Sequence, residues 1–432
     1  MQRWRWIGLL MVFPLAGCGG GGGGTAGTTP VPTAPIARAE GAPPAPGGAP
    51  PPSKAPTPVA LDAMELALFQ DGARDFNTVD VAPELGPIFN GPAFNDHGPA
   101  ASNTPAVLRT PAVPTAESCA TCHRGGGSNG SVEMRFGRTD NDIFDALTSE
   151  GGSLLQFFAV PGGTPELLPA DANTFALRRT TTVQGAGLIE AIPDEQIISN
   201  AMAEPDGQAG EVVMVDEPDL TGAHVGRFGW KCQHASLFAF AGDAYLNEMG
   251  VSNTLFPEEL APNGAATPVT AVKDQPTAVS IPGQTLMLTD IQRFYNFMRY
   301  LPLPLPQQSP HLVHGAQVFN TIGCAVCHTQ TFTTSSSVAA LDQQKIHVWS
   351  DFLLHDVGTG DGIVQGAADT ANKLRTAPLI GVAGKGLMHD AGSATVQDAI
   401  QRHQNQGQAS TDAFNALNAD DQQAVVDFVN SL

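Results

Sequence analysis

The chain has 432 residues, with 42 acidic side chains against 21 basic ones and a formal net charge of −21. That length allows two or three domains of ordinary size. The acidic balance excludes nucleic acid as a partner, because a phosphate backbone needs a basic surface.

In chain order, the first signal is a targeting segment. Arg3 and Arg5 precede an apolar run from Ile7 to Phe13, and Leu15-Ala16-Gly17-Cys18 follows. A charged start, a short apolar stretch and small residues before a cysteine read as a lipoprotein signal peptide over residues 1–17, with Cys18 lipidated. The run is too short to span a bilayer. The expected location is the cell envelope, lipid-anchored, with the outer membrane indicated by Gly19 and the protein facing the periplasm or the surface. Residues 18–60, rich in Gly, Pro and Ala, read as a disordered tether that reaches roughly 100 Å when extended at about 3.1 Å per residue.

Globular sequence begins near Leu61, and Ala63 to Phe69 reads as a helix. Ile291 to Tyr300 reads as an aromatic helix, closed by the alternating prolines of Leu301-Pro302-Leu303-Pro304-Leu305-Pro306. Proline at every second position cannot continue a helix. The expected domains are therefore residues 61–300 and 301–432. Ser309-Pro310 is a good cap and first-turn pair for a helix running to Asn320, and Asp420 to Leu432 places Val425, Phe428, Val429 and Leu432 on one face. The fold class expected is mainly α, helices joined by long loops.

Two motifs, Cys119-Ala-Thr-Cys122-His123 and Cys324-Ala-Val-Cys327-His328, make the expected units two cytochrome c-like haem domains. In Cys-x-x-Cys-His, both thiols bond to haem and the imidazole becomes the proximal ligand of the iron. A zinc site would set its cysteine pairs ~15–20 residues apart, far closer than these two pairs. A redox dithiol needs no following histidine and no second copy. The cofactors expected are two covalent haem c, with Ca2+ as a further candidate. Cys232 is left over and is given no role. Nine other histidines remain as candidate sixth ligands: His97, His224, His234, His311, His314, His347, His355, His389 and His403.

The chain also repeats weakly. Arg179-Thr180-Thr181 leads to Gly187-Leu188-Ile189-Glu190, and Arg375-Thr376-Ala377 leads to Gly386-Leu387-Met388-His389, at similar distances after the two motifs. Glu190 and His389 fall in matching places.

Several segments resemble the bacterial di-haem oxidoreductase family, which is distantly similar to the di-haem cytochrome c peroxidases and to the di-haem enzyme that matures methylamine dehydrogenase. They are Gly226-Arg227-Phe228-Gly229-Trp230-Lys231, Gly187 to Asp194, Ser350 to Asp356, Arg375 to Leu379 and Leu387-Met388-His389-Asp390. The match runs from about Leu85 to Leu432. The resemblance implies His403 as distal ligand of the His328 haem, 14 residues after His389. It also implies Glu190 as an acid–base group beside the first haem and Trp230 as an electron relay. The sequence departs from the family in two places. An insertion containing His97 separates Leu85 to Asn90 from Cys119, and the usual His-Asp-Gly reads His389-Asp390-Ala391-Gly392.

The expected function is electron transfer through two haems to hydrogen peroxide or a similar oxidant. The donor expected is a small redox protein or a quinone-linked source. A non-catalytic electron carrier and an oxidase that modifies a protein partner stand as alternatives.

Overall fold

Along Ala63–Asn77 the buried positions are Glu65, Leu68, Gly72 and Phe76. This three-to-four-residue spacing lays one face of helix α1 on a neighbour. The neighbour is the later helix Asp290–Arg299, reached through Phe69, which stacks on Phe297, and Phe76, whose ring meets Phe297 at a tilt. The computed structural model describes residues 63–77, 119–123, 126–128, 131–156, 166–205, 207–258, 260–264, 274–304 and 306–432. The expected signal peptide, Cys18, the tether to residue 60, the Leu85–Asn90 segment and His97 lie outside these residues.

After α1 comes the single turn α2 (Cys119–Cys122), then strand β1 (Val132–Asp140). β1 is the centre of a three-stranded antiparallel sheet with β2 (Ile143–Asp145) and β3 (Thr174–Arg179). Helices α3 (Ala186–Glu190) and α4 (Asp194–Ala203) lead to the hairpin β4 (Met214–Asp216) and β5 (Ala223–Val225). Helix α5 (Leu237–Met249) is capped by the Ser236 side chain, which accepts from Ala239 N–H at 3.1 Å. A second hairpin, β6 (Thr277–Ile281) and β7 (Gln284–Leu288), feeds α6 (Asp290–Arg299), whose start is a capping box of Thr289 and Gln292. Helix α7 (Pro310–Thr321) starts at Ser309, which accepts from Leu312 N–H at 3.2 Å. Beyond it lie β8 (Thr331–Thr333) paired with β9 (Lys345–His347), and β10 (Leu354–His355) paired with β11 (Leu374–Arg375). Three helices close the chain: α8 (Val396–Gln401), α9 (Gln408–Asn415) and α10 (Ala419–Asn430).

The expected mainly α fold of two cytochrome c-like units is therefore corrected. Among the described residues, eleven short strands form five small sheets between the helices. The physical reason is legible afterwards. Val132, Met134 and Phe136 alternate inward along β1, a period of two that specifies a half-buried strand.

The largest apolar core joins both halves of the chain. Phe76, Leu188, Phe228, Tyr245 and Phe297 pack with Phe332, Phe352, Leu353 and Ile380, and Leu301 and Leu303 are buried in the same cluster. A second core holds Phe319, Trp349, Val396, Phe414 and Phe428, where α7 meets α10. All described residues belong to one compact unit.

Candidate functional site

Each Cys-x-x-Cys-His motif opens onto its own cavity. For the second motif, α7 ends at Thr321 and Gly323 turns the chain at a φ of 89°, a left-handed conformation that favours glycine. Cys324 and Cys327 then face a largely apolar cavity of about 1310 Å3, solvent mouth included. His328 lies in its wall, with Nδ1 2.9 Å from the Trp349 carbonyl oxygen. His403, at the end of α8, faces it, with Nδ1 2.7 Å from the Ala399 carbonyl oxygen.

The two imidazole centroids are 6.4 Å apart. Two metal–nitrogen bonds of about 2 Å plus two ring radii of about 1.1 Å give about 6.2 Å, so one iron fits between the rings. Each Nδ1–H is spent on a carbonyl, which leaves each Nε2 lone pair for a metal, the usual outer-shell arrangement for a ligating histidine. Burial pushes His328 down to about 4 and also lowers His403, so both rings are neutral, as ligation requires. The donor set and the apolar walls thus fit haem.

Met388, His389 and His355 line the same cavity. His355 is held instead by Asp351, Nε2 to Oδ2 at 2.9 Å, with its Nδ1 3.8 Å from Cys327 Sγ. Among the described residues, Cys327, Asp351 and His355 are the one group of such side chains close enough to share a small ion. That sulfur, nitrogen and oxygen set is unlike the all-oxygen shell that Ca2+ takes.

The first motif forms α2, and His123 N–H donates to Cys119 O at 2.9 Å. The His123 ring lies 6.3 Å from the Phe76 ring, and burial pushes it down to about 4. Its cavity, about 1100 Å3 with the solvent mouth, differs from the other in chemistry. Among the described residues it has no second histidine in its lining, and it is faced by Glu133, Arg135, Glu248 and Gln233. Arg135 Nε donates to Glu133 Oε1 at 2.6 Å. Burial, then the neighbouring Glu133 charge, pushes Glu248 up to about 8. Sequence reasoning missed this group. Glu133 and Arg135 share one face of a strand and Glu248 ends α5, so no linear motif joins them.

Glu190 lines neither haem cavity. Its Oε1 accepts from Leu237 N–H at 2.8 Å, and its Oε2 accepts from the Tyr295 hydroxyl at 3.1 Å. Trp230 lines both cavities, is 8% exposed, and donates from Nε1 to Arg179 O at 2.8 Å. Arg375 N–H in turn donates to Trp230 O at 2.8 Å. The two repeat segments are thus joined through this one tryptophan. Cys232 is fully buried, donates to Phe352 O at 3.2 Å, and is pushed by burial to about 12, which makes it an inert thiol.

Two cavities, each with a cysteine pair and a neutral histidine, bridged by one aromatic residue, define a two-centre redox protein. The chain belongs to the family described as "Di-haem oxidoreductase, putative peroxidase", whose model matches residues 163–432. Haem is the cofactor that this family implies. A solved structure of a MauG-like protein associated with microbial copper homeostasis is 18% identical, over 33% of this chain and 56% of that one, with a TM-score of 0.23. The match therefore spans little more than half of that structure's length. Comparison with curated proteins finds no match.

Proposed function

We propose that this di-haem oxidoreductase is a peroxidase of the cell envelope, with two covalently bound haem c groups in unequal roles. The observation that carries the proposal is the difference between the cavities. Among the described residues, His403 opposes His328 in one, and acid–base side chains stand in place of a second histidine in the other. A bis-histidine iron suits electron entry from a small redox donor, and an iron with an exchangeable position suits chemistry.

Haem, once bound at His123, supplies the electrons and the coordination position for reducing peroxide. The protein's part is proton delivery. Reduction of peroxide to two waters consumes two electrons and two protons, and the protein must place a proton on the departing oxygen. Glu248 holds a proton at neutral pH, and Arg135, beside Glu133, favours the negative charge that develops as the bond breaks. Glu190 is not assigned this role, because its carboxylate is already committed to Leu237 and Tyr295. Trp230 would carry electrons between the two centres. Cys18 would anchor the chain to a membrane.

Glu248→Gln keeps the shape and removes the proton. It should lower peroxide turnover by about 10²–10⁴ with both haems retained, while Glu190→Gln should leave turnover near the wild-type value. The reverse pattern returns the role to Glu190. A second reading is favoured by Met249 and Met298, which also line the His123 cavity. A thioether on that iron would make both haems electron carriers, and the EPR spectrum of the half-reduced protein would then contain no high-spin signal.

A further inference from the structure

A third cavity, of about 680 Å3 with its solvent mouth, shares walls with both haem cavities. It has Arg179, Thr181, Val183, Gly229 and Phe240 in common with the His123 cavity, and Arg179, Arg375, Ala377 and Pro378 in common with the His328 cavity. Among the described residues its lining includes four cationic side chains, Arg179, Arg227, Arg375 and Lys385, and no Asp or Glu. In a chain with twice as many acidic as basic residues, such a cluster needs a cause.

Arg227 has its counter-ion within the protein, because it pairs with Asp194. The other three form no ion pair among the described residues. Arg179 spends Nη1 on the Gly386 carbonyl at 2.9 Å, and its buried Nε has no partner there. Arg375 spends Nε on the Gly229 carbonyl at 2.6 Å, with its guanidinium over the Phe352 ring. Lys385 is half-buried, and burial together with the Arg179 charge lowers its pKa. A buried guanidinium without an anion is strongly unfavourable, and Arg is the side chain best shaped to grip a carboxylate. Arg375 feels the buried Asp351 carboxylate at longer range, whereas no carboxylate acts on Arg179 among the described residues, so the counter-charge for Arg179 must come with whatever fills the cavities. Haem carries two propionate carboxylates on one edge. Arg179 and Arg375 also hold matching places in the internal repeat, one after each haem motif.

We propose that Arg179, Arg375 and Lys385 form a carboxylate site at the seam of the two cavities, filled by haem propionates, with Arg179 gripping a propionate of each haem. This rests on the reading that each cavity holds one haem. Arg179 is then a positioning residue that ties the two redox centres to one charge. A cation beside a propionate favours the ferrous iron, whose site carries one more negative charge.

The test is a spectroelectrochemical titration of the full-length di-haem protein. Arg179→Gln should lower the reduction equilibrium of both haems by about tenfold, 59 mV for a one-electron couple. Arg375→Gln should lower only that of the haem held by His328. Unshifted potentials in Arg179→Gln, with two haems present, would overturn the proposal and leave the two-haem reading standing. A pyridine haemochrome count of one haem per chain would strike that reading instead. A free anion is the other source of a carboxylate, and acetate is its probe. Wild type should show no saturable acetate-induced Soret shift, and a saturable shift lost in Arg179→Gln overturns the assignment to propionates. If Arg179→Gln does not retain haem, Lys385→Gln at the half-buried position serves. It should lower at least one potential, and no shift counts against the site.

Discussion

At the scale of single residues, His328 and His403 face each other across the C-terminal cavity with ring centroids 6.4 Å apart. Each ring is neutral and half-buried, and each has its Nδ1 tied to a backbone carbonyl. The protein therefore prepares both lone pairs before any metal arrives. Replacing His403 with Ala should convert a low-spin EPR signal to high spin, and His403→Met should keep it low-spin while raising the potential, because a thioether favours ferrous iron more than an imidazole does. An unchanged spectrum in His403→Ala would move the ligand to Met388 or His389, which line the same cavity. Position 403 was legible in the sequence through a family spacing alone. The carbonyls that fix the two rings, Trp349 for His328 and Ala399 for His403, are marked by no motif.

At the scale of elements, close helix contacts hold the two cavities in shape. α7 meets α10 where Gly315 lies directly under the Ala424 carbonyl oxygen, with no room for a Cβ. α1 meets α6 in the same way, Gly72 against the Arg293 carbonyl. Gly315→Ala should therefore force the helices apart and cost about 1–3 kcal/mol, the usual penalty for overpacking, read as a lower denaturant midpoint with haem still attached. Helix α5 depends on Glu190, whose Oε1 takes the N–H of its first residue, Leu237. Glu190→Ala leaves that N–H and the Tyr295 hydroxyl without their acceptor, at a cost of about 1–3 kcal/mol. Urea titration checks this, and a variant as stable as wild type would remove the structural account of Glu190.

At the scale of the whole molecule, buried titratable groups make stability depend on pH in one direction near neutrality. Burial pushes Asp75 up to about 7, helped by the Asp290 charge, and Glu166 to about 8. His234 would be lowered by burial, yet hydrogen bonds to Asp243 and Glu217 raise it to about 9. Each of these groups holds its proton more tightly folded than unfolded. Their contribution is fully present below the unfolded values and is lost as pH rises through the folded ones. The thermal midpoint should therefore fall between pH 6 and pH 8. Lys231, lowered by burial to about 8, acts in the opposite sense only above that. His234→Gln should flatten the fall, and a midpoint that rises between pH 6 and 8 would contradict the assignment of these shifts.

Covalent spacing and helix periodicity are written locally, which is why the sequence by itself marked both Cys-x-x-Cys-His motifs, α1, α6, the Ser309 cap of α7 and α10. The small sheets escaped because strands of two to six residues carry too little pattern to outweigh loops rich in Gly and Pro, and only β1 alternates long enough to be read. Long-range geometry was decided by the tertiary structure alone. It set Glu133, Arg135 and Glu248 around one cavity, committed Glu190 to a helix start, and left Arg179 and Arg375 with no ion pair among the described residues at the seam between two cavities. The physical reason is that a side chain's electrostatic role depends on what packs against it, and those neighbours come from residues far apart in the chain.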